Sequence, residues 1–220
     1  VYATTFETTP EGMVEIPGGL FRYYTARAPG TLTPFIPLPG SGDTTEVMMP
    51  PFFMDRYPVT NAEFRRFLEA SGYRPDDTTH FLAHWMDGNV VPGRENHPVV
   101  YISIQDAMAY ARWAGKRLPS EQEWQYAAQG TDMRKYPWGN EPDSLKCNSG
   151  LNTTTSVQQF PQGVSPLGVM DMIGNVWQMT GDLYDNGSYY FTMIRGGSHY
   201  KPTESIWYVT GGMLDRKSVV

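Results

Sequence analysis

Two histidines, His80 and His84, lie four residues apart. On a helix this spacing would point both imidazoles to one side, where they could bind a metal ion. Catalytic zinc needs three protein ligands and an open position, and no third histidine or acidic residue follows at a recognised spacing. We therefore favour two polar residues on an aromatic-lined loop over a metal site.

The single cysteine, Cys147, is a second candidate for chemistry. A thiol nucleophile needs a nearby base, and neither a histidine nor a second thiol is close to Cys147 in sequence. One thiol also cannot form a disulfide within the chain. A small, buried residue is therefore the favoured interpretation.

The segment from Asp182 to Gly187 is similar to part of a calcium loop, because Asp182, Asp185 and Asn186 precede a glycine. The bidentate glutamate expected eleven residues after the first ligand is replaced by Met193. The sequence Asp185-Asn186-Gly187 instead predicts a two-residue hairpin turn between two aromatic strands.

Three helices are predicted between residues 60 and 130. Thr60 and Ser120 are each followed three residues later by a glutamate, which indicates a capping box, and Ser103 begins the second helix. A glycine ends each helix. The expected buried faces contain Phe64, Phe67 and Leu68, then Ala107, Tyr110, Ala111 and Ala114, then Trp124, Ala127 and Ala128.

Short β-type segments lie on both sides of these helices. Residues 13–16 and 52–55 precede them, and residues 168–172 and 193–195 follow them. Helices in the middle of the chain, with strands and long loops at both ends, favour an α+β class over βαβ repeats.

Composition excludes several classes of protein. The 220 residues include 22 glycines and 18 prolines, which a helical bundle would not tolerate, and 40% hydrophobic residues, which argues against disorder. The net charge of −6 argues against a nucleic-acid-binding protein. No apolar run approaches the ~20 residues of a membrane span. We expect one domain over residues 1–220.

Six motifs occur in the order found in one known family. They are residues 13–19, residues 53–64, His97-Pro98-Val99 with residues 114–124, residues 137–140, residues 174–177 and residues 195–198. From about Met13 to Ser198 the chain resembles the formylglycine-generating enzyme family, also called the sulfatase-modifying factor family. The resemblance implies a variant of the C-type-lectin-like fold, with three main helices, short antiparallel strands and little regular structure.

The resemblance does not extend to the family's copper site. Family enzymes oxidise a sulfatase cysteine to formylglycine, using molecular oxygen and copper held by two cysteines. These lie three and eight residues after the serine of the Gly-Gly-Ser motif. Counted from Ser198, those positions are Lys201 and Ile206, and neither supplies the thiolate that copper(I) prefers. We expect neither copper nor formylglycine-generating activity.

A calcium site is a weaker implication of the resemblance. Asn175 and the Val176 carbonyl match family ligands, whereas Gln178 replaces a glutamate and keeps only a neutral amide oxygen. Asn148 falls where another family site begins, but the acidic segment after it is not recognisable. One calcium ion is therefore the expectation, and hydrogen bonds that hold the same loops without metal are the alternative.

The favoured function is a non-catalytic binding module for a glycan or peptide. In the family enzymes a pocket holds copper and peptide. The residues expected to line the equivalent pocket are Ser198, His199, Tyr200, Trp207 and Tyr208. Aromatic faces beside polar groups suit sugar rings or a peptide, although ordinary core packing would explain the same residues.

Two other functions remain open. One is an oxidoreductase with divergent chemistry, in which His199 and Tyr200 act as an acid–base pair and Asp182 orients them. The other is a secreted structural or assembly protein, because some relatives resemble secreted surface proteins. That likeness implies a secreted, periplasmic or cell-envelope location. The chain also stops before the Gly-Phe-Arg strand that completes the family domain, so we expect the final strand to be missing.

Overall fold

A computed structural model of the chain describes residues 2–3, 8–24, 44–185, 190–200 and 212–215. In these residues the three expected helices are α1 (Asn61–Ser71), α2 (Ile104–Trp113) and α3 (Glu121–Gln129). Each begins with a complete capping box, in which a hydroxyl accepts a backbone N–H and an acidic side chain returns to the cap. The α2 box uses an aspartate, so its closure was not apparent from the glutamate pattern.

The strands are short and pair antiparallel. They are β1 (Tyr2–Ala3), β2 (Met13–Ile16), β3 (Gly19–Tyr23), β4 (Thr45–Met49), β5 (Phe52–Asp55), β6 (Gln178–Asp185), β7 (Tyr190–Arg195) and β8 (Gly212–Asp215). One sheet has the order β1-β5-β2, a ribbon joins β3 to β4, and a third sheet has the order β6-β7-β8. The α+β prediction is confirmed. Within the described helices, none is long and apolar enough to cross a bilayer.

Two details of the predicted strands differ from the structure. The segment 168–172 is not a strand, because Asp171 has a left-handed φ of 55° and Met170 donates its N–H to the carbonyl of Arg56. The predicted hairpin is formed by β6 and β7, but Asp185 pairs with Tyr190. Four residues therefore connect the paired ends, not two, and Asn186 and Gly187 lie outside the described residues.

The core has two parts. In the first, α3 packs Trp124 and Ala127, both fully buried, against residues of β2, β3 and β5 such as Ile16, Phe21 and Phe52. In the second, α1 and α2 pack the aromatic rings of Phe64, Phe67 and Tyr110 together. The predicted helix faces are thus the buried ones, because apolar residues three and four apart lie on one side of a helix.

A buried ion pair joins α3 to the third sheet. The Arg195 side chain, fully buried at the end of β7, pairs with Glu121 in the first turn of α3. The hydroxyl of Tyr23 donates to Glu121 Oε2 at 2.8 Å and accepts from Arg195 Nη2 at 3.3 Å. Three elements therefore meet at one buried charge cluster.

We predict that Glu121→Gln destabilises the protein by about 3–5 kcal/mol, because it leaves the buried guanidinium of Arg195 without its carboxylate. The measurement is the free energy of unfolding in urea. Glu69→Gln is the matched control. It removes the exposed Glu69 partner of Arg65 on α1, a loss expected to cost less than about 0.5 kcal/mol. Equal effects of the two variants would contradict the prediction.

Candidate functional site

A cleft of about 1010 Å³ opens beside the helices. Its walls include residues 98–102, 116–119, 152–154, 175–179 and 198–200. Most of these residues lie in connections between helices and strands, so loop hydrogen bonds must hold the walls in place.

The segment 198–200 enters this cleft directly after β7. The backbone N–H of His199 donates to the carbonyl of Asn175 at 3.1 Å, and His199 Nδ1 lies 2.8 Å from the same oxygen. A carbonyl only accepts, so Nδ1 carries the proton and Nε2 is the acceptor of the neutral ring. Tyr200 donates its N–H to Ser198 Oγ and exposes 65% of its surface.

The described members of the predicted ligand-binding set thus line one cleft. Ser198, His199 and Tyr200 do so together with Asn175 and Gln178. The other two predicted members, Trp207 and Tyr208, lie outside the described residues, as do Lys201 and Ile206.

Asp182 does not join the predicted acid–base group. It is exposed on β6, and its Oδ2 accepts the backbone N–H of Glu121 at 2.5 Å. A carboxylate at this position satisfies a donor and complements the dipole at the N-terminus of α3. Asp182 is not among the described residues that line the cleft, so the structure gives it a helix-capping role.

The predicted calcium ligands are engaged in hydrogen bonds to N–H groups. Asn175 Oδ1 accepts the N–H of Thr155 at 2.9 Å, and Asn148 Oδ1 accepts that of Leu151 at 3.2 Å. Gln178 Oε1 accepts the indole N–H of Trp124 at 2.9 Å. An oxygen that already accepts from N–H groups is poorly placed to coordinate a cation.

Two further observations bear on the calcium expectation. Asn148 and Asn175 are fully buried, while Val176 lines the cleft half-buried. In the described parts of the chain, no three His, Cys, Asp or Glu residues are grouped as a metal site would require. In this arrangement the amide oxygens of these residues do not fit a calcium ion. The calcium site stays a prediction from the resemblance.

Asn175 holds the centre of the site. Its Nδ2 donates to the Thr155 carbonyl at 3.1 Å and to Asp171 Oδ2 at 2.8 Å, and its backbone N–H donates to the Asn148 carbonyl at 2.9 Å. Because its own carbonyl accepts from His199, one buried residue links three loops. The Gly-Asn-x-Trp motif indicated this position as a calcium ligand, with loop-holding hydrogen bonds as the alternative, and the structure shows such hydrogen bonds at Asn175.

Cys147 is only 6% exposed and packs in the first core, and burial raises the pKa of its thiol. A raised pKa disfavours the thiolate, so the structure supports the interpretation of Cys147 as a small buried residue.

His80 and His84, interpreted from the sequence as polar residues on an aromatic-lined loop, lie in a bend and a turn and have different environments. His80 is exposed, whereas His84 is half-buried. Burial, followed by the charge of Arg94, lowers the pKa of His84 to about 4. His84 is therefore neutral at physiological pH.

Five residues that the motifs did not single out as site residues are linked to His84 directly or through one another; we call them, with His84, the His84 cluster. They are Asn61, Trp85, Arg94, Tyr101 and Thr153. Asn61 Oδ1 accepts from His84 Nε2 at 2.8 Å and from the indole of Trp85 at 3.0 Å. Its Nδ2 donates to the Arg94 carbonyl at 2.9 Å, which fixes the orientation of the amide.

Tyr101 completes the His84 cluster. Its ring stacks on the imidazole of His84 with centroids 5.9 Å apart, and 58% of its surface is exposed at the cleft. The backbone φ of Tyr101 is 56°, a left-handed value that is unusual for an aromatic residue. Nothing in the sequence indicated this conformation, so the aromatic rim on this side could not have been predicted.

Comparison with known proteins places the chain in a family. The family model described as "Sulfatase-modifying factor enzyme 1-like domain" matches residues 2–213. The chain belongs to this family. The formylglycine-generating enzyme of Thermomonospora curvata is 36% identical over 224 residues, which cover 78% of this chain and 71% of that protein.

Two other similar proteins, one found by sequence and one by structure, support this family assignment. The "Inactive C-alpha-formylglycine-generating enzyme 2" of Bos taurus is 29% identical over 84% of this chain and 75% of that protein. The solved structure of PvdO from Pseudomonas aeruginosa matches with a TM-score of 0.70 and 25% identity, over 94% of this chain and 88% of that one. The predicted family and the formylglycine-generating-enzyme type of fold are therefore confirmed.

Asp171 gives a test of the buried network. Burial raises the pKa of its carboxyl from 3.8 to about 7, although the hydrogen bond from Asn175 opposes the shift. The folded state then binds a proton more tightly than the unfolded state. Stability that is present at pH 4 is lost as the pH rises towards about 7.

We predict that Asp171→Asn stabilises the protein at pH 8 by about 1–3 kcal/mol and has a much smaller effect at pH 4.5. The asparagine keeps an oxygen for Asn175 but cannot ionise. Urea unfolding at the two pH values measures the difference. Asp132→Asn is the control, because its partner Arg134 lowers the pKa of Asp132 and the sign should reverse. A pH-independent effect of Asp171→Asn would contradict the prediction.

Proposed function

We propose that this chain is a non-catalytic member of the sulfatase-modifying factor family whose cleft binds a peptide segment. The observation that carries the proposal is the cleft of about 1010 Å³ with exposed Tyr101 and Tyr200 rings among its lining residues. Tyrosine combines a flat apolar face with a hydroxyl, so it contributes contact area and hydrogen bonding together.

The sequence and the position of its one thiol support the proposal that the chain lacks the family's copper chemistry. Two thiolates are needed to hold copper in the family enzymes, and the chain contains one cysteine. Cys147 is packed in the core with a raised pKa, so it is unsuited to ligate copper at the cleft. The similarity to an enzyme named as inactive supports the same conclusion.

Peptide is the ligand class that the cleft supports best. Its volume is at the upper end of the roughly 300–1,000 Å³ range of small-molecule pockets, and it stays open to the surface along several loops. The family resemblance also associates this pocket with a polypeptide. A glycan is the second candidate, because the exposed rings and half-buried Trp177 offer flat faces for sugar stacking.

The oxidoreductase alternative receives less support. His199 has an acceptor nitrogen in the cleft, but Asp182 caps α3 and does not orient it. Among the described residues no carboxylate is hydrogen-bonded to His199, whose Nδ1 lies against the Asn175 carbonyl, so His199 suits ligand hydrogen bonding better than proton transfer.

We predict that a fluorescent pool of random, C-terminally amidated decapeptides binds the protein and that Tyr101→Ala and Tyr200→Ala each weaken binding about tenfold. The loss of one aromatic contact of about 1–1.5 kcal/mol corresponds to that factor. Fluorescence anisotropy is the measurement. Leu145→Ala is the control, because Leu145 is 82% exposed and does not line the cleft.

Three results decide the proposal. Binding of fluorescent oligosaccharides in place of the peptide pool would transfer the site to the glycan candidate. No binding of either probe would contradict a binding function. Mass-spectrometric detection of formylglycine in a sulfatase-motif peptide, after incubation with copper and oxygen, would contradict the non-catalytic assignment.

A further inference from the structure

More cationic than anionic side chains line the cleft. Among the described lining residues they are Asp55, Arg94, Lys116 and Arg117, with three cations and one carboxylate. The chain as a whole carries a net charge of −6, so this cleft has the opposite sign to the rest of the surface.

Two of the three cations are neutralised by ion pairs. Lys116 Nζ lies 2.6 Å from Asp55 Oδ1, with both side chains mostly buried. Arg117 donates two hydrogen bonds to Glu123, at 2.7 and 2.6 Å. Such paired charges contribute little field to a ligand in the cleft, because each cation lies against its own carboxylate.

Arg94 has a different environment. In the described residues no carboxylate lies within ion-pair distance of its guanidinium, and its Nη1 donates to the hydroxyl of Thr153 at 2.9 Å. A guanidinium carries five N–H donors in a planar fork that matches a carboxylate. Glu95 follows Arg94 in sequence but is not among the described residues that line the cleft.

The positive charge of Arg94 affects the pKa values of two histidines. Burial is the largest cause that lowers the pKa of His84 and of His97, and the positive charge of Arg94 is the second. His84 and His97 are therefore neutral at physiological pH. Neither adds a positive charge beside Arg94. Arg94 remains the positive centre on the side of the cleft where Tyr101 is exposed.

We propose that the cleft selects acidic peptide segments, in which an aspartate or glutamate carboxylate pairs with Arg94 beside the ring of Tyr101. This inference rests on the proposed peptide-binding function and adds the chemical class of the ligand. The overall charge of −6 does not oppose it strongly, because charges more than about 8 Å away are screened at physiological ionic strength.

The test compares three fluorescent decapeptide pools with random sequence, amidated C-termini and one fixed central residue, which is Glu, Gln or Lys. Amidation removes the terminal carboxylate, so the difference between the Glu and Gln pools reports the side-chain carboxylate alone. We expect the Glu pool to bind at least fivefold more tightly than the Gln pool in 0.15 M salt, and the Lys pool to bind most weakly. Anisotropy titrations give the three affinities.

Matched variants locate the effect. Arg94→Gln should reduce the preference for the Glu pool to less than twofold, whereas Arg65→Gln on α1 makes the same charge change outside the cleft and should leave it intact. Arg94→Lys keeps the charge but loses the fork, so part of the preference should remain. Thr153→Val removes the hydrogen bond between the Arg94 guanidinium and the loop that contains Thr153, without a change of charge. This variant controls for effects on binding that come only from loosening of that loop.

The outcomes separate the two proposals. If all three pools bind with equal affinity, the peptide-binding function stands and the acidic selection is overturned. A tighter Lys pool, or a Glu preference that survives Arg94→Gln in a protein of unchanged melting temperature, also overturns the selection. If no pool binds, both proposals fail.

Discussion

The cleft depends on the hydrogen bonds that the side chain and the backbone of one buried residue, Asn175, make. Its side chain bonds to Thr155 and Asp171, its backbone N–H to Asn148, and its carbonyl accepts from His199. Three loops that share no regular secondary structure are thereby tied to a residue with no exposed surface. An unmade bond at such a position would cost about 1–3 kcal/mol, so the loops are fixed by the requirement to satisfy it.

Backbone conformation makes this arrangement sterically attainable. Asn175 itself has a left-handed φ of 58°, and the adjacent Gly174 has a φ of 81°. A Cβ on Gly174 would lie 2.5 Å from the carbonyl oxygen of Asn148, and one on Gly196 would lie 2.8 Å from that of Met172. Contacts this short are not tolerated, so both positions require glycine. The high glycine content of the chain serves, at these positions, to bring loop backbones together.

Local signals explain why the helices were predictable from the sequence and the His84 cluster was not. Thr60 and Ser120 mark helix starts through interactions within one turn, and a sequence records such interactions directly. The His84 cluster is instead assembled by contacts between residues distant in sequence, such as Asn61 with Arg94 and His84 with Tyr101, and by a left-handed backbone at Tyr101. Asn148, Asn175 and Gln178 were recognised through the family, and in the structure their amides make hydrogen bonds that hold the loops.

The described hydrogen bonds that shape the cleft do not depend on the copper-binding cysteines that give the family its chemistry. Every described hydrogen bond of Asn175 is made with an amide, carbonyl, imidazole or carboxylate group, and none uses a thiol. The described bonds of this scaffold therefore do not require a thiolate of the kind that holds copper in the family enzymes. A cleft held in this way can keep its shape while its ligand chemistry changes. In the proposed peptide complex, Arg94 supplies the charge for recognition from a wall whose described hydrogen bonds, to Thr153 and Asn61, also use no thiol.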